Sequence, residues 1–371
     1  MADTFYYSRD TLVHLTDSAG AIYKIPVLDG FSFSQATNAT EVTLNEMATS
    51  AGVSRRARQM FTDSYAPAEW SFQTYIRPFK SGGTGSSGQH DAVAHHMVEE
   101  ALWNALAGSG AVGASGTALT ADGTDANIAF TNSNKVALDT FDLFFEMGSG
   151  KLEPVIYKIE GCVVNEVSID FDIDGIATAN WSGMGKIITE ATSMTTATIY
   201  EGTAAADTNN FIRNRLTDLT VSATALGEIQ TSYALTLTGG NVTIGNNITF
   251  LTPETLGIVN QPLGHVTGTR SVSGNFTCYL NTPASGNSSA DLFEDLIEST
   301  EVITNVFDLA FIVGGTSNTP RMEMNMNSCH LEVPTHSIDD IISLEATFHA
   351  LPTSVDAVDE IDLVFVGPTV T

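Results

Sequence analysis

Alternation of apolar and polar residues governs much of the chain. In VVNEVSIDFDID (residues 163–174), Val167, Ile169, Phe171 and Ile173 fall on one side, while Ser168, Asp170, Asp172 and Asp174 fall on the other. A period of two sends successive side chains to opposite faces, so the segment predicts a half-buried β-strand. Asp174-Gly175 then turns the chain into IATANWSG, and the two runs predict a β-hairpin. Comparable strand-like runs are YYSRDTLVHL, IYKIPVLDGFSF, EWSFQTYIRPF and FDLFFEM. The spacing of Val93, Met97, Val98, Leu102 and Leu106 instead predicts a helix over residues 91–107. The Gly-, Ala- and Thr-rich stretch that follows, to about residue 135, reads as a loop.

The order of these elements recurs. FIRNRLTDLTV answers YYSRDTLVHL, and SYALTLTGGNVTI answers IYKIPVLDGFSF, with Tyr233 against Tyr23 and Gly240 against Gly30. SGNFTCYLN answers WSFQTYIRP, with Phe276 against Phe72 and Tyr279 against Tyr75. SADLFEDLIEST predicts a second helix near residues 290–299. FDLAFIV echoes FDLFFEM, NSCHLEVPTHSIDD echoes EGCVVNEVSID with Cys329 against Cys162, and ISLEATFHAL takes the place of IATANWSGMG. Matches in one order, with length changes in loops, predict a tandem duplication of a mainly β domain carrying one short helix. The first domain is expected over residues 1–188, a linker over 189–210 and the second domain over 211–371. A unit of this size implies complete domains, not a solenoid.

Composition narrows the functional classes. Hydrophobic residues make up 43% of the chain, enough for real cores. With 43 acidic and 15 basic side chains, the net charge is −28, which opposes any grip on nucleic acid phosphates. Three widely separated cysteines argue against a disulfide framework or a zinc cluster and suit folding in a reducing cytoplasm. No run reaches the length of a membrane span, and MADTFYYSRD lacks the apolar core of a secretion signal, so no membrane partner is expected.

Candidate chemistry is sparse. Asp170, Asp172, Asp174 and Gly175 begin like a calcium-binding loop, but position 12 is Trp181, and the flanks read as strands. A row of solvated aspartates on a strand face is the better reading. His95, His96, Glu99 and Glu100 lack the His-Glu-x-x-His spacing of a zinc protease and are expected on the polar face of an amphipathic helix. GGTGSSG lacks the Gly-Lys-Ser/Thr ending of a phosphate loop, and no Gly-x-Ser-x-Gly elbow occurs. No catalytic residue, cofactor or metal is expected. Arg55, Arg56 and Arg58, in SRRAR, concentrate cations in an acidic chain; they read as a solvated loop or as a contact with acidic surface on another copy.

The phrases KIPVLDGFSFSQATNATEVTLNEM, SRRARQMFTDSYAPAEWSFQTYIRPF, NEVSIDFDIDGIATANWSGMG and FIRNRLTDLTV resemble the tail tube proteins of long-tailed bacteriophages, most closely the large forms with two tube domains per chain. The resemblance implies β-sandwich or barrel-like domains, each with a flanking helix, whose inner strands join across subunits into a β-lined ring. It further implies rings of three chains with pseudo-sixfold symmetry, stacked into a tube that passes DNA without binding it specifically. Partners would be other copies and the proteins at the tube ends: tape measure, terminator, and baseplate or tip. The loop over about residues 43–68, with Arg55, Arg56 and Arg58, would reach the neighbouring ring; its counterpart over about 252–270 lacks the arginine cluster. Asp170, Asp172 and Asp174 would then face the lumen, repelling DNA, with Asp174, at the turn, a candidate to face an adjacent ring instead. Two other readings fit the composition: another self-assembling β-protein, such as a fibre or S-layer subunit, and a β-rich glycoside hydrolase using paired carboxylates.

Overall fold

The computed structural model describes residues 5–41, 59–82, 93–108, 119–130, 138–151, 153–194, 199–200, 209–252, 261–282, 286–300, 302–303, 305–315 and 320–370. The protein is mainly β and largely antiparallel, with two α-helices among the described residues. The first half carries β1 (Thr11–Thr16), β2 (Ile22–Ile25), β3 (Ser32–Glu41), β4 (Met60–Tyr75), β5 (Pro78–Ser81) and β6 (His95–Met97). Helix α1 (Glu100–Ala107) follows, then β7 (Leu119–Ala121), β8 (Ala126–Ala129), β9 (Phe141–Met147), β10 (Val155–Asp172), β11 (Thr178–Gly185) and β12 (Ile187–Ala191). β13 (Ile199–Tyr200) lies in the expected linker. The second half begins with β14 (Asp218–Ala223), β15 (Ser232–Ala234), β16 (Leu237–Gly245), β17 (Thr249–Leu251), β18 (Gly264–Val266) and β19 (Ser271–Tyr279). Helix α2 (Ser289–Glu298) precedes β20 (Phe307–Val313), β21 (Arg321–Leu331), β22 (Thr335–Ile338), β23 (Ile342–Ala350), β24 (Asp362–Val366) and β25 (Thr369–Val370).

Strand pairing follows the same scheme twice. In the first half β3 pairs β4, β4 pairs β11, and β11 pairs β10. In the second, β16 pairs β19, β19 pairs β23, and β23 pairs both β21 and β22. An opposing layer is built alike, from β2, β1, β9 and β10 and from β15, β14, β20 and β21. The cysteines mark the correspondence most sharply. Phe141 pairs with Cys162 and Phe307 with Cys329, each beside a register shift, and each thiol donates to the carbonyl three residues back, on Ile159 or Met326. Two phenylalanines fill matching places between the layers: Phe145 against Phe31 and Phe33, and Phe311 against Phe276 and Phe348.

The halves do not stand apart. The last seven residues of β10, Glu166–Asp172, pair antiparallel with Gly239–Gly245 of β16. Further on, β8 pairs β24, and β25 runs parallel to β5. One hydrophobic core includes Trp70, Trp103 and Trp181 together with Phe276, Phe311 and Phe348. Because β10 pairs β9 and β12 at one end and β11 and β16 at the other, it carries the chain from one layer to the next.

Several expectations need correction. His95, His96 and Met97 lie on β6, so the helix begins only at Glu100. All eight residues of α1 are buried, so it has no polar face; Glu99 and Glu100 point into the core. The second helix spans Ser289–Glu298, where the spacing predicted one. The stretch read as a loop before residue 135 contains β7 and β8. Residues 60–68 belong to β4, and the counterpart over 252–270 contains β18, paired with β17, so both presumed loops are partly strand. Ile173 leaves the sheet and is exposed.

Candidate functional site

The predicted hairpin is present: β10 and β11 pair antiparallel from Val163↔Met184 to Asp170↔Thr178, and Gly175 turns the chain at φ 122°. At that angle a Cβ would be strained, so glycine fits the turn. Val167, Ile169 and Phe171 are buried, while Glu166, Asp170 and Asp172 are exposed on the other face. This face extends across eight strands in the order β3, β4, β11, β10, β16, β19, β23, β22. Direct cross-strand neighbours on it include Ser71 and Ser182, Gln73 and Asn180, Asp170 and Asn241, Asn241 and Asn275, and Thr277 and Glu345. Alternation therefore builds one polar surface from both halves of the chain.

Its charge is one-sided. Apart from Lys158 at the far end of β10, these eight strands contain no Lys or Arg, while they contribute Glu69, Glu166, Asp170, Asp172 and Glu345. Hydrogen bonds fix the carboxylates in place without neutralising them. Asn180 Nδ2 donates to Asp170 Oδ2 at 2.8 Å, and Asn241 Nδ2 donates to the other oxygen, Oδ1. The same Asn241 amide also reaches Ser168 Oγ at 2.7 Å. Asn275 Nδ2 donates to Glu345 Oε1 at 3.3 Å. Amides polarise toward a carboxylate but carry no net charge, so the surface stays anionic.

The predicted aspartates are not equivalent. Asp170 and Asp172 lie on this face. Asp174 lies beyond the strand, and its Oδ1 accepts from Arg215 Nη1 at 3.0 Å in an exposed ion pair. Arg55, Arg56 and Arg58 lie outside the described residues. Asn180, Asn241 and Glu345 complete the face; their own strands alternate visibly, but which strands are neighbours is a long-range fact that periodicity does not carry.

The His/Glu group has a different use. His96 Nδ1 lies 2.7 Å from Glu100 Oε2, and Glu99 Oε1 accepts from the Arg77 backbone N–H and from Trp103 Nε1, both at 3.2 Å. Arg77 donates through Nε and Nη2 to Asn210 Oδ1 at 3.1 and 3.0 Å and stacks over Phe211. Burial pushes the Glu99 carboxyl up to about 7, against the lowering effect of its Trp103 and Arg77 hydrogen bonds. This network ties β5, β6 and α1 to the start of the second half. Among the described residues, no group of three His, Cys, Asp or Glu side chains is placed to hold a metal ion.

Comparison with known proteins agrees with a structural role. A family model described as phage tail tube protein matches residues 27–350. The chain is also 31% identical over 348 residues to "Tail tube protein pb6" of Escherichia phage T5, covering 91% of this chain and 69% of that protein. With a fold built of paired strands, an anionic sheet face and a family match across most of its length, the chain belongs to the phage tail tube proteins.

Proposed function

We propose that three copies of this chain close into a ring of six similar β units, and that stacked rings form a conduit for DNA. The observation that carries this reading is the continuous eight-strand sheet with a polar, acidic and almost cation-free face. Such a face suits a lumen. Each phosphate–cation contact would retard a passing polyanion and exchange against counterions, whereas fixed carboxylates present like charge. The duplication supports the count, since each chain supplies two units already joined through β10 and β16. Domain limits of 1–188 and 211–371 remain our division of the chain, with Asp170 and Asp172 on the wall and Asp174 toward the rim. Arg55, Arg56 and Arg58 are proposed to meet acidic surface on the next ring, where desolvation strengthens contacts that are weak in open water. Proteins at the tube ends would meet the same ring surfaces.

Electron microscopy of the concentrated, purified chain tests this directly. Hollow tubes with threefold rings, their inner wall built from β3, β4, β10, β11, β16, β19, β23 and β22, are expected. A chain that stays monomeric under all conditions, or a tube whose wall turns this face outward, overturns the reading.

A further inference from the structure

Both halves open on the same short motif. A 3-10 turn, Ser8–Asp10 or Asn214–Leu216, precedes β1 or β14, so Phe5, Tyr6 and Arg9 correspond to Phe211, Ile212 and Arg215. A second contact fixes this alignment. Gly148 follows β9 as Gly314 follows β20, and a Cβ added there would come within 2.6 Å of the Tyr6 ring or 2.8 Å of Ile212. In the second half the motif is held by the first half. The Ala177 N–H donates to the Ile212 carbonyl at 2.9 Å, and the Asn214 N–H donates to the Gly175 carbonyl at 3.2 Å. Arg213 bridges Ile176, Phe211 packs edge-on against Tyr75 at 5.2 Å, and Arg215 pairs with Asp174.

The surface that receives the motif is repeated in the second half. Tyr279 corresponds to Tyr75, and their partners Ser343 and Thr178 correspond as well. The Leu280 N–H donates to the Ile342 carbonyl as the Ile76 N–H donates to that of Ala177. Ile341 and Ile342 thus stand where Ile176 and Ala177 stand. The turn before them is shorter, with five residues between Ser337 and Ser343 against seven between Asp170 and Thr178. It carries Asp339 and Asp340 where the longer turn carries Asp174. Burial differs at the two places. Ile212 and Ala177 are both 0% exposed, whereas Tyr6 is 39% and Ile342 37% exposed, with Phe5, Tyr7 and Ile341 more open still. Arg9 is exposed and has no carboxylate partner among the described residues.

Building on the ring proposed above, we propose that residues 5–9 of one copy strap onto the turn between β22 and β23 of its neighbour. The Ile342 N–H donates to the Tyr6 carbonyl, Tyr7 lies opposite Ile341, Phe5 packs on Tyr279, and Arg9 meets Asp339 and Asp340. The strap uses no edge strand of the inner sheet. Asn281 occupies the place of Arg77, so the guanidinium over Phe211 has no counterpart in this contact. Closing it covers Phe5, Tyr6, Tyr7, Ile341 and Ile342, apolar groups that water otherwise reaches.

Cysteine pairs read the contact. Opposed side chains on adjoining strands lie about 4.5–5.5 Å apart at Cβ, within reach of a disulfide after small adjustment. The native Cys162, Cys278 and Cys329 are buried, so the parent protein is a blank. Ile176→Cys/Arg213→Cys should close a link within one chain and calibrates the oxidation. Tyr7→Cys/Ile341→Cys should stay unlinked in dilute monomer and run as covalent dimers and trimers once assembled and oxidised. Tubes that form without this link overturn the strap and leave the ring reading intact. A link formed equally in dilute monomer also overturns it, because the contact then lies within one chain. Parent protein that forms no tubes overturns the ring reading, and the strap with it. Phe5→Ala/Tyr6→Ala/Tyr7→Ala covers the case of a double variant that fails to assemble. Its circular dichroism spectrum should match the parent's while the concentration needed for tubes rises at least tenfold; assembly at the parent's concentration overturns the proposal.

Discussion

At the scale of single residues, the most consequential group is a carboxyl that never meets water. Glu99 is buried and accepts from Arg77 and Trp103, and burial lifts its pKa from the ordinary 4.5 to about 7. The direction of the linkage follows. Below about 4.5 the carboxyl is protonated in both folded and unfolded chains; between 4.5 and 7 only the unfolded chain releases the proton. Stability is therefore full at low pH for this group and is lost as pH rises through the folded value. The interval corresponds to about 3 kcal/mol at ~1.36 kcal/mol per unit. Urea midpoints measured from pH 4.5 to 8 should show that Glu99→Gln removes most of this decline. A variant whose decline matches the parent's would assign the dependence elsewhere. The chemistry at residues 95–100 was legible as residue types but not as a place. Glutamates and histidines read as a solvated face, and only packing shows that β6 and α1 turn them inward.

Elements repeat more faithfully than residues do. Trp70 of β4 faces Gly183 of β11, whereas at the equivalent pair in the second half Gly274 of β19 faces Phe348 of β23. The large ring and the missing side chain have exchanged strands while their joint volume is kept, as close packing requires. A Cβ on Gly274 would collide with the Asn241 carbonyl oxygen and come 2.7 Å from the Phe348 ring. Gly274→Ala should therefore lower stability by about 1–3 kcal/mol, an overpacking cost. Gly264→Ala, with open space around it, should be close to neutral in the same denaturation assay. Strands and hairpins of this kind were readable because period two needs only neighbouring residues. β7 and β8 were not, because Ala- and Thr-rich strands lack strong alternation, and β8 gains its second pairing from β24, more than two hundred residues away. The bounds of α1 were misread for a related reason: a helix buried on every side has no apolar stripe to mark where it begins.

For the whole molecule, the governing quantity is the distribution of a −28 charge. Composition made the repulsion of nucleic acid legible, and the alternation of Asp170 and Asp172 pointed to the face that carries it. The partners that extend this face, Asn241 on β16 and Glu345 on β23, were out of reach because their neighbours are set by long-range pairing. In the proposed tube, reversing charge on this face should change transport more than architecture. Asp170→Lys/Asp172→Lys is expected to assemble, since both positions are exposed on the strand. Its tubes should retain short duplex DNA in a co-sedimentation assay at low salt and release it as salt rises. Parent tubes should retain none. Equal retention by both would remove electrostatics from the account of the wall.

The return of late strands onto early ones also sets an order in time. β24 completes the sheet beside β8, and β25 lies against β5, where the Lys80 backbone N–H donates to the Pro368 carbonyl at 2.8 Å. A ribosome delivers residues 78–129 long before residues 362–370, at roughly 5–20 residues per second in cells. For many seconds β5 and β8 therefore wait without these later partners, and the first half cannot complete this pairing on its own. Contacts this distant along the chain slow closure. A chain interrupted before residue 362 therefore leaves β8 and β5 without these two partners, however well its earlier strands have paired.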